Sequence, residues 1–138
     1  MNKSDLELLA ELRIKEAEAL LSSGHFHGAY YLAGYALECA LKACIAKKVN
    51  QHDFPNKKLA EDSHCHDLSK LVGVAGLKTD LWQQEQRDPT FSLNWAVAKD
   101  WSEKARYEAI ITQAQARDLV SAISDNNNGV LQWLKNYW

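Results

Sequence analysis

The stretch from Ala29 to Ala46 constrains this chain more than any other. Its 18 residues include only two charged ones, Glu38 and Lys42. Ala and Leu dominate it, and both favour helix. A helix that is apolar on nearly every side has to be surrounded by protein, either in the core or at a subunit interface. With Gly34, Glu38 and Lys42 inside it, the stretch is a poor membrane span. We predict one long helix over about Phe26 to Lys48, closed by Lys47 and Lys48, whose charges suit the negative end of the helix dipole.

The rest of the chain must cover that helix. Its 138 residues are one domain's worth, so residues 1–138 are expected to form a single domain. A chain of this size buries roughly two-thirds of the surface that its unfolded form exposes, which supports folding without staples. Two prolines and six glycines are too few for the turns of an all-β protein, and the expected class is all-α. The net charge is −2 and the pI about 6.2. No global field draws the chain to nucleic acid or anionic lipid, so any polyanion site must be local. The odd count of three cysteines, Cys39, Cys44 and Cys65, reads as reduced thiols. The charged N-terminal segment has no signal-peptide run, and a soluble, cytoplasmic protein without membrane contact is expected.

Ser4-Asp5-Leu6-Glu7 reads as a capping box that opens a first helix over about Asp5 to Ser22, stopped by Ser22-Ser23-Gly24. Asn50 to His64, with Pro55, reads as one long loop. A short helix over about Asp67 to Val74 points Leu68, Leu71 and Val72 inward, and Gly73 and Gly76 weaken and stop it. Leu77 to Asp88 is ambiguous, Asp88-Pro89 is a break, and Phe91 to Ala98 is a short helix or turn. Trp101 to Tyr107 leads to a last helix starting near Thr112. There Ala116, Leu119, Val120, Ile123, Val130, Leu131 and Leu134 share one stripe. From Ile123 the phase reaches Val130 after seven residues and Leu134 after eleven. We therefore predict one helix running through Asp125-Asn126-Asn127-Asn128-Gly129, with Asn127 at a core position. The poor helix propensity of Asn and Gly makes a break the alternative.

Four segments carry a resemblance. They are Ala29–Ala43 with its Glu38-Cys39-Ala40-Leu41-Lys42-Ala43 end, His66-Asp67-Leu68-Ser69-Lys70-Leu71, Trp101-Ser102-Glu103-Lys104-Ala105-Arg106-Tyr107, and Val130-Leu131-Gln132-Trp133-Leu134-Lys135. In this order they resemble the HEPN family over roughly residues 5 to 135. The resemblance implies a bundle of four or five helices arranged up and down, often as a homodimer, with a link to nucleotides or RNA. Many members are ribonuclease toxins, and some are paired with a small nucleotidyltransferase-type antitoxin. Nuclease members carry an Arg followed, after four to six intervening residues, by a His in the last helix. Here Arg13, Arg87, Arg106 and Arg117 have no His at that spacing, and no His follows His66. No catalytic residue is therefore carried over, and no cofactor or metal is expected. A ribonuclease with a displaced catalytic set and a non-catalytic dimeric adaptor are the alternatives.

The expected ligand site is one polar pocket lined by Glu38, Lys42, His66 and Arg106, with Tyr107 beside it, taking an anion. Glu38 and Lys42 are four apart in the favourable order for a helical ion pair, which is also a purely structural reading. His66 could instead stand near the N-cap of the short helix. Arg106 could grip phosphate in a bidentate fashion, or tie its loop to Glu103 or Glu108. His64-Cys65-His66 with His25 and His27 has poor spacing for zinc, since adjacent side chains point apart. Lys42, Lys47, Lys48, Lys57 and Lys58 against Asp53 form a small basic surplus, with Phe54 as a weak stacking candidate. Trp133 and Trp138 are candidates for dimer contacts or for ordinary core packing. A homodimer is expected because an all-round apolar helix has more faces than a few short neighbours can cover.

Overall fold

The computed structural model describes residues 1–51, 57–108 and 110–138, with Asn50 and Gln51 described by backbone alone. Asp53, Phe54 and Pro55, on which the basic-surplus and stacking readings depend, lie outside the described residues. The described residues hold eight α-helices and no strand. These are α1 (Lys3–Ser22), α2 (Phe26–Gln51), α3 (Lys57–Asp62), α4 (Leu68–Val74), α5 (Lys78–Arg87), α6 (Pro89–Lys99), α7 (Gln113–Ser124) and α8 (Val130–Leu134), with a 3-10 turn over Glu103–Tyr107 between α6 and α7. The all-α bundle is as expected.

The long apolar helix is the axle. α1 lies along α2, and α7, α4, α8 and the 3-10 turn close around it. Ala29, Ala33, Ala36, Ala40 and Ala43 are all fully buried, as are Ala10 and Ala17 on α1. These small faces let backbones approach closely. Leu37, Leu41, Cys44 and Ile45 are buried as well, in one continuous cluster with Leu71, Phe91, Leu119, Ile123 and Leu134. The chain covers most of α2 by itself, while Tyr30, Tyr31, Leu32 and Tyr35 stay only partly buried and Val49 is exposed. Trp133 is also buried at home, between Phe91 (ring centroids 5.3 Å apart) and Tyr137 (5.1 Å). It leaves little surface for a dimer contact.

Several boundaries differ from the sequence reading for local reasons. α1 begins two residues early. The Asn2 side chain accepts from the Asp5 N–H, and the Asp5 carboxylate accepts from the Asn2 N–H, so the capping box is Asn2/Asp5. Asn caps as well as Ser, and Glu7 is drawn to Lys3 instead. The predicted long loop contains α3. Asp88 is the cap of α6, accepting from the Phe91 N–H, with Pro89 in the first turn, where its missing N–H costs nothing.

The last helix is not continuous. α7 ends at Ser124, α8 begins at Val130, and Asn127 is exposed rather than in the core. The Asp125 side chain accepts from the backbone N–H of both Asn127 and Asn128, at 2.8 Å each. Those bonds offer the backbone an alternative to the helical ladder. The Asn128 side chain donates to Asp88, and the Asn94 side chain donates to the Asn128 carbonyl, pinning the turn to α6.

Candidate functional site

Glu38 is the one charged or polar residue classed as buried among the described residues. The apolar phase of α2 carries it inward, where an unpaired carboxylate would be expensive. Two partners meet it. Lys42, one turn on, donates its ammonium to Oε2 at 3.1 Å, and His66 presents Nδ1 to Oε1 at 2.9 Å. The exposure of the three side chains is graded, with Glu38 at 3%, Lys42 at 24% and His66 at 47%. The site is thus a buried anion carrying two partly exposed nitrogen groups at the surface.

His66 reaches this place because α4 starts directly after it. Asp67 caps α4 by accepting from the Lys70 N–H at 3.0 Å, and buried Leu68, Leu71 and Val72 dock the helix on the core. His66 itself is not the cap. With Nδ1–H donating to Glu38, the imidazole presents Nε2 away from the carboxylate. The electrostatics of the surroundings register the same carboxylate. Burial first, and then Glu38, push the Cys39 thiol up to about 11. Burial, Cys39 and Glu38 together raise the Tyr35 phenol.

Arg106 and Tyr107 lie in the 3-10 turn that packs against α2. Trp101 lies against Gly34, where a Cβ would come within 2.1 Å of the indole ring. That missing side chain seats Trp101, and with buried Ala105 it fixes the 3-10 turn on α2. Tyr31 packs against Trp101 at 6.2 Å and stacks on Tyr35 at 6.1 Å. The Arg106 guanidinium sits 4.6 Å over the Tyr107 ring. Its polar contacts are with the Tyr107 and Tyr31 phenols, Tyr107 being the main cause that raises its pKa. Among the described residues Arg106 makes no ion pair with Glu103 or Glu108.

The structure therefore brings Glu38, Lys42 and His66 into direct contact and places Arg106 and Tyr107 at the Tyr31 end of one stripe, Tyr31–Tyr35–Glu38–Lys42. Tyr31 precedes Glu38 by seven residues, which is roughly 10 Å along a helix axis. A cavity of about 530 Å³ beside Lys42 is lined by Leu6, Ile45, Val49 and His64 among others, and it takes in neither Glu38, His66 nor Arg106. Lys42 lines that cavity, whereas Glu38, His66 and Arg106 stand outside it. Sequence reasoning missed the Tyr31–Tyr35–Trp101 wall. The signal for it was Gly34, a glycine inside an apolar helix, which marks a close approach by another element.

Among the described residues, no three His, Cys, Asp or Glu side chains gather as a metal site. His66 is engaged by Glu38, and the Cys65 thiol faces the Asp67 carbonyl at 3.9 Å. No helix among them is long and apolar enough to cross a membrane. No significant match was found among curated proteins or among solved structures. The sequence model of the HEPN domain does match, over residues 6–137, so nearly the whole chain is accounted for. With its helical bundle built around the Glu38–Lys42 helix, the chain belongs to the HEPN domain family.

Proposed function

We propose that this chain binds the phosphate of a nucleotide or nucleic acid at the Glu38–Lys42–His66 cluster. One observation carries the reading: a carboxylate that is only 3% exposed holds an ammonium and an imidazole at 3.1 Å and 2.9 Å, both partly open to solvent. Such an arrangement holds a partly exposed ammonium and an imidazole edge in fixed positions where an anion can reach them. HEPN domains are in general nucleotide-binding or ribonuclease-like, which fits an anionic ligand here. A homodimer and a nucleotidyltransferase-type protein partner in the cytoplasm complete the proposal, on family grounds alone.

Binding ranks ahead of cleavage because the last helix lacks the Arg–His spacing of the nuclease members. The His66–Glu38 hydrogen bond favours a second reading, a ribonuclease with a displaced base, since a carboxylate on Nδ1 leaves Nε2 to take a proton. Calorimetric titration with adenosine monophosphate, at low and high salt, tests the first reading. Binding that weakens with salt and is lost in Lys42→Met supports it. Binding unchanged in Lys42→Met, or none at millimolar nucleotide, overturns it. Incubation with a structured RNA separates the second reading, because robust cleavage lost in His66→Ala would establish it.

A further inference from the structure

The Arg106–Tyr107 pair has no structural task that explains its form. Tyr107 is 74% exposed, an unusual place for a ring that size. One of its faces is covered by the Arg106 guanidinium at 4.6 Å. Tyr31, whose phenol also acts on the guanidinium, packs against Trp101 and Tyr35. The result is a planar cation stacked on an exposed ring beside a packed aromatic wall. Planar aromatic ligands stack on such surfaces through both the ring and the cation.

We infer that Arg106 and Tyr107 form a base-stacking platform, and that the ligand is a single nucleic-acid strand running from this platform along the Tyr31–Tyr35 face to the phosphate site at Lys42 and His66. The inference rests on the reading of the Lys42–His66 site given above and adds the ligand's form and length. Tyr31 and Lys42 are eleven residues apart on α2, roughly 16 Å along its axis. At about 3.4 Å per stacked nucleotide, that span corresponds to about five nucleotides. A mononucleotide engages one end only. A duplex keeps its base faces stacked inside the helix and offers none to a protein ring, so the strand has to be single.

The experiment is anisotropy or calorimetry with uridine monophosphate and with uridine oligomers of increasing length up to eight. It uses the wild type, Tyr107→Ala, Tyr107→Phe and Lys42→Met. Affinity should rise at least tenfold from the monomer to a pentamer and then level off. Tyr107→Ala should lose roughly tenfold on the pentamer, the scale of one stacked base. Tyr107→Phe should keep the gain, since the ring is what stacks. Because Tyr107 is exposed, the Ala variant keeps the fold, which circular dichroism checks. If the monomer binds as tightly as the pentamer and still depends on Lys42, the platform is wrong and the phosphate site stands. An undiminished pentamer affinity in Tyr107→Ala, or tighter binding of a duplex than of the single strand, also overturns the platform. Absence of any binding at millimolar ligand overturns both.

Discussion

Two places in this molecule interrupt an apolar helical pattern with polar residues, and they end differently. At Glu38 the helix continues and a carboxylate is buried with Lys42 and His66. At Asp125 to Gly129 the backbone leaves the helix, and Asn126 and Asn127 face solvent. Glu is a good helix former whose long side chain reaches partners on another element. Asp and Asn are short, and their side chains compete for nearby backbone N–H groups. Asp125 does this twice, at Asn127 and Asn128. Val130, Leu131 and Leu134 are buried beyond the break, while Asn127, which the phase would carry inward, is exposed. Whether the backbone stays helical is settled by local side-chain chemistry.

The largest expected effect attacks the broken helix. A Cβ on Gly129 would come within 2.3 Å of the Asp125 carbonyl, 2.7 Å of the Ile123 carbonyl and 2.8 Å of the Asp125 nitrogen, all backbone atoms that cannot swing away. Gly129→Ala should therefore lose about 3 kcal/mol in urea unfolding. A loss under about 1 kcal/mol would mean that the turn adapts and is not sterically fixed.

The next attacks the buried charge. Lys42→Met leaves Glu38 with His66 alone and should lose about 2 kcal/mol, less than for a fully buried pair because Lys42 is partly exposed. Adding Glu38→Leu should restore most of that loss, since the cost lies in the unpaired carboxylate. A double variant as unstable as the single one would show that the pair contributes packing rather than charge compensation.

Acid separates the two places further. Asp88 is held below the usual carboxylate range chiefly by the Asn128 side chain and then by the Phe91 N–H. Asp125 is held low by the N–H groups of Asn128 and Asn127. A carboxyl whose folded pKa is depressed adds stability above its unfolded pKa and loses it as pH falls through the folded value. The urea midpoint of the wild type should thus decline below about pH 4. The gap between wild type and a Asp88→Asn/Asp125→Asn variant should close over the same range. A gap that persists at pH 2 would remove these carboxylates from the account.

The smallest effect reads the interior around Glu38. Burial pushes Cys39 up to about 11 and Cys44 up to about 12. At pH 8 a disulfide reagent should modify one thiol per folded chain, Cys65, and all three after denaturation. Early reaction at Cys39 in Lys42→Met would show α2 opening next to the uncompensated carboxylate.

Much of this was legible. The apolar run placed α2, the spacing of Glu38 and Lys42 gave their pair, and His66 fell beside them because the short helix after it was readable from Leu68, Leu71 and Val72. The capping of α1 by Asn2 was not, since Ser4/Glu7 fits the usual capping-box pattern and Glu7 pairs with Lys3 instead. The 3-10 turn and the seating of Trp101 on Gly34 depend on a contact between residues 67 positions apart, which no local pattern encodes. Neither does local pattern say that Arg106 would turn to Tyr31 and Tyr107 rather than join Lys42.

The central claim is that the Glu38–Lys42–His66 cluster receives a phosphate. The most direct measurement follows the ring resonances of the five histidines by NMR while adenosine monophosphate is added. His66 should move in a saturable way, His25 and His27 should stay still, and the response should vanish in Lys42→Met while the rest of the spectrum keeps its folded dispersion. A His66 ring that does not respond at millimolar nucleotide, or that responds equally in Lys42→Met, would contradict it.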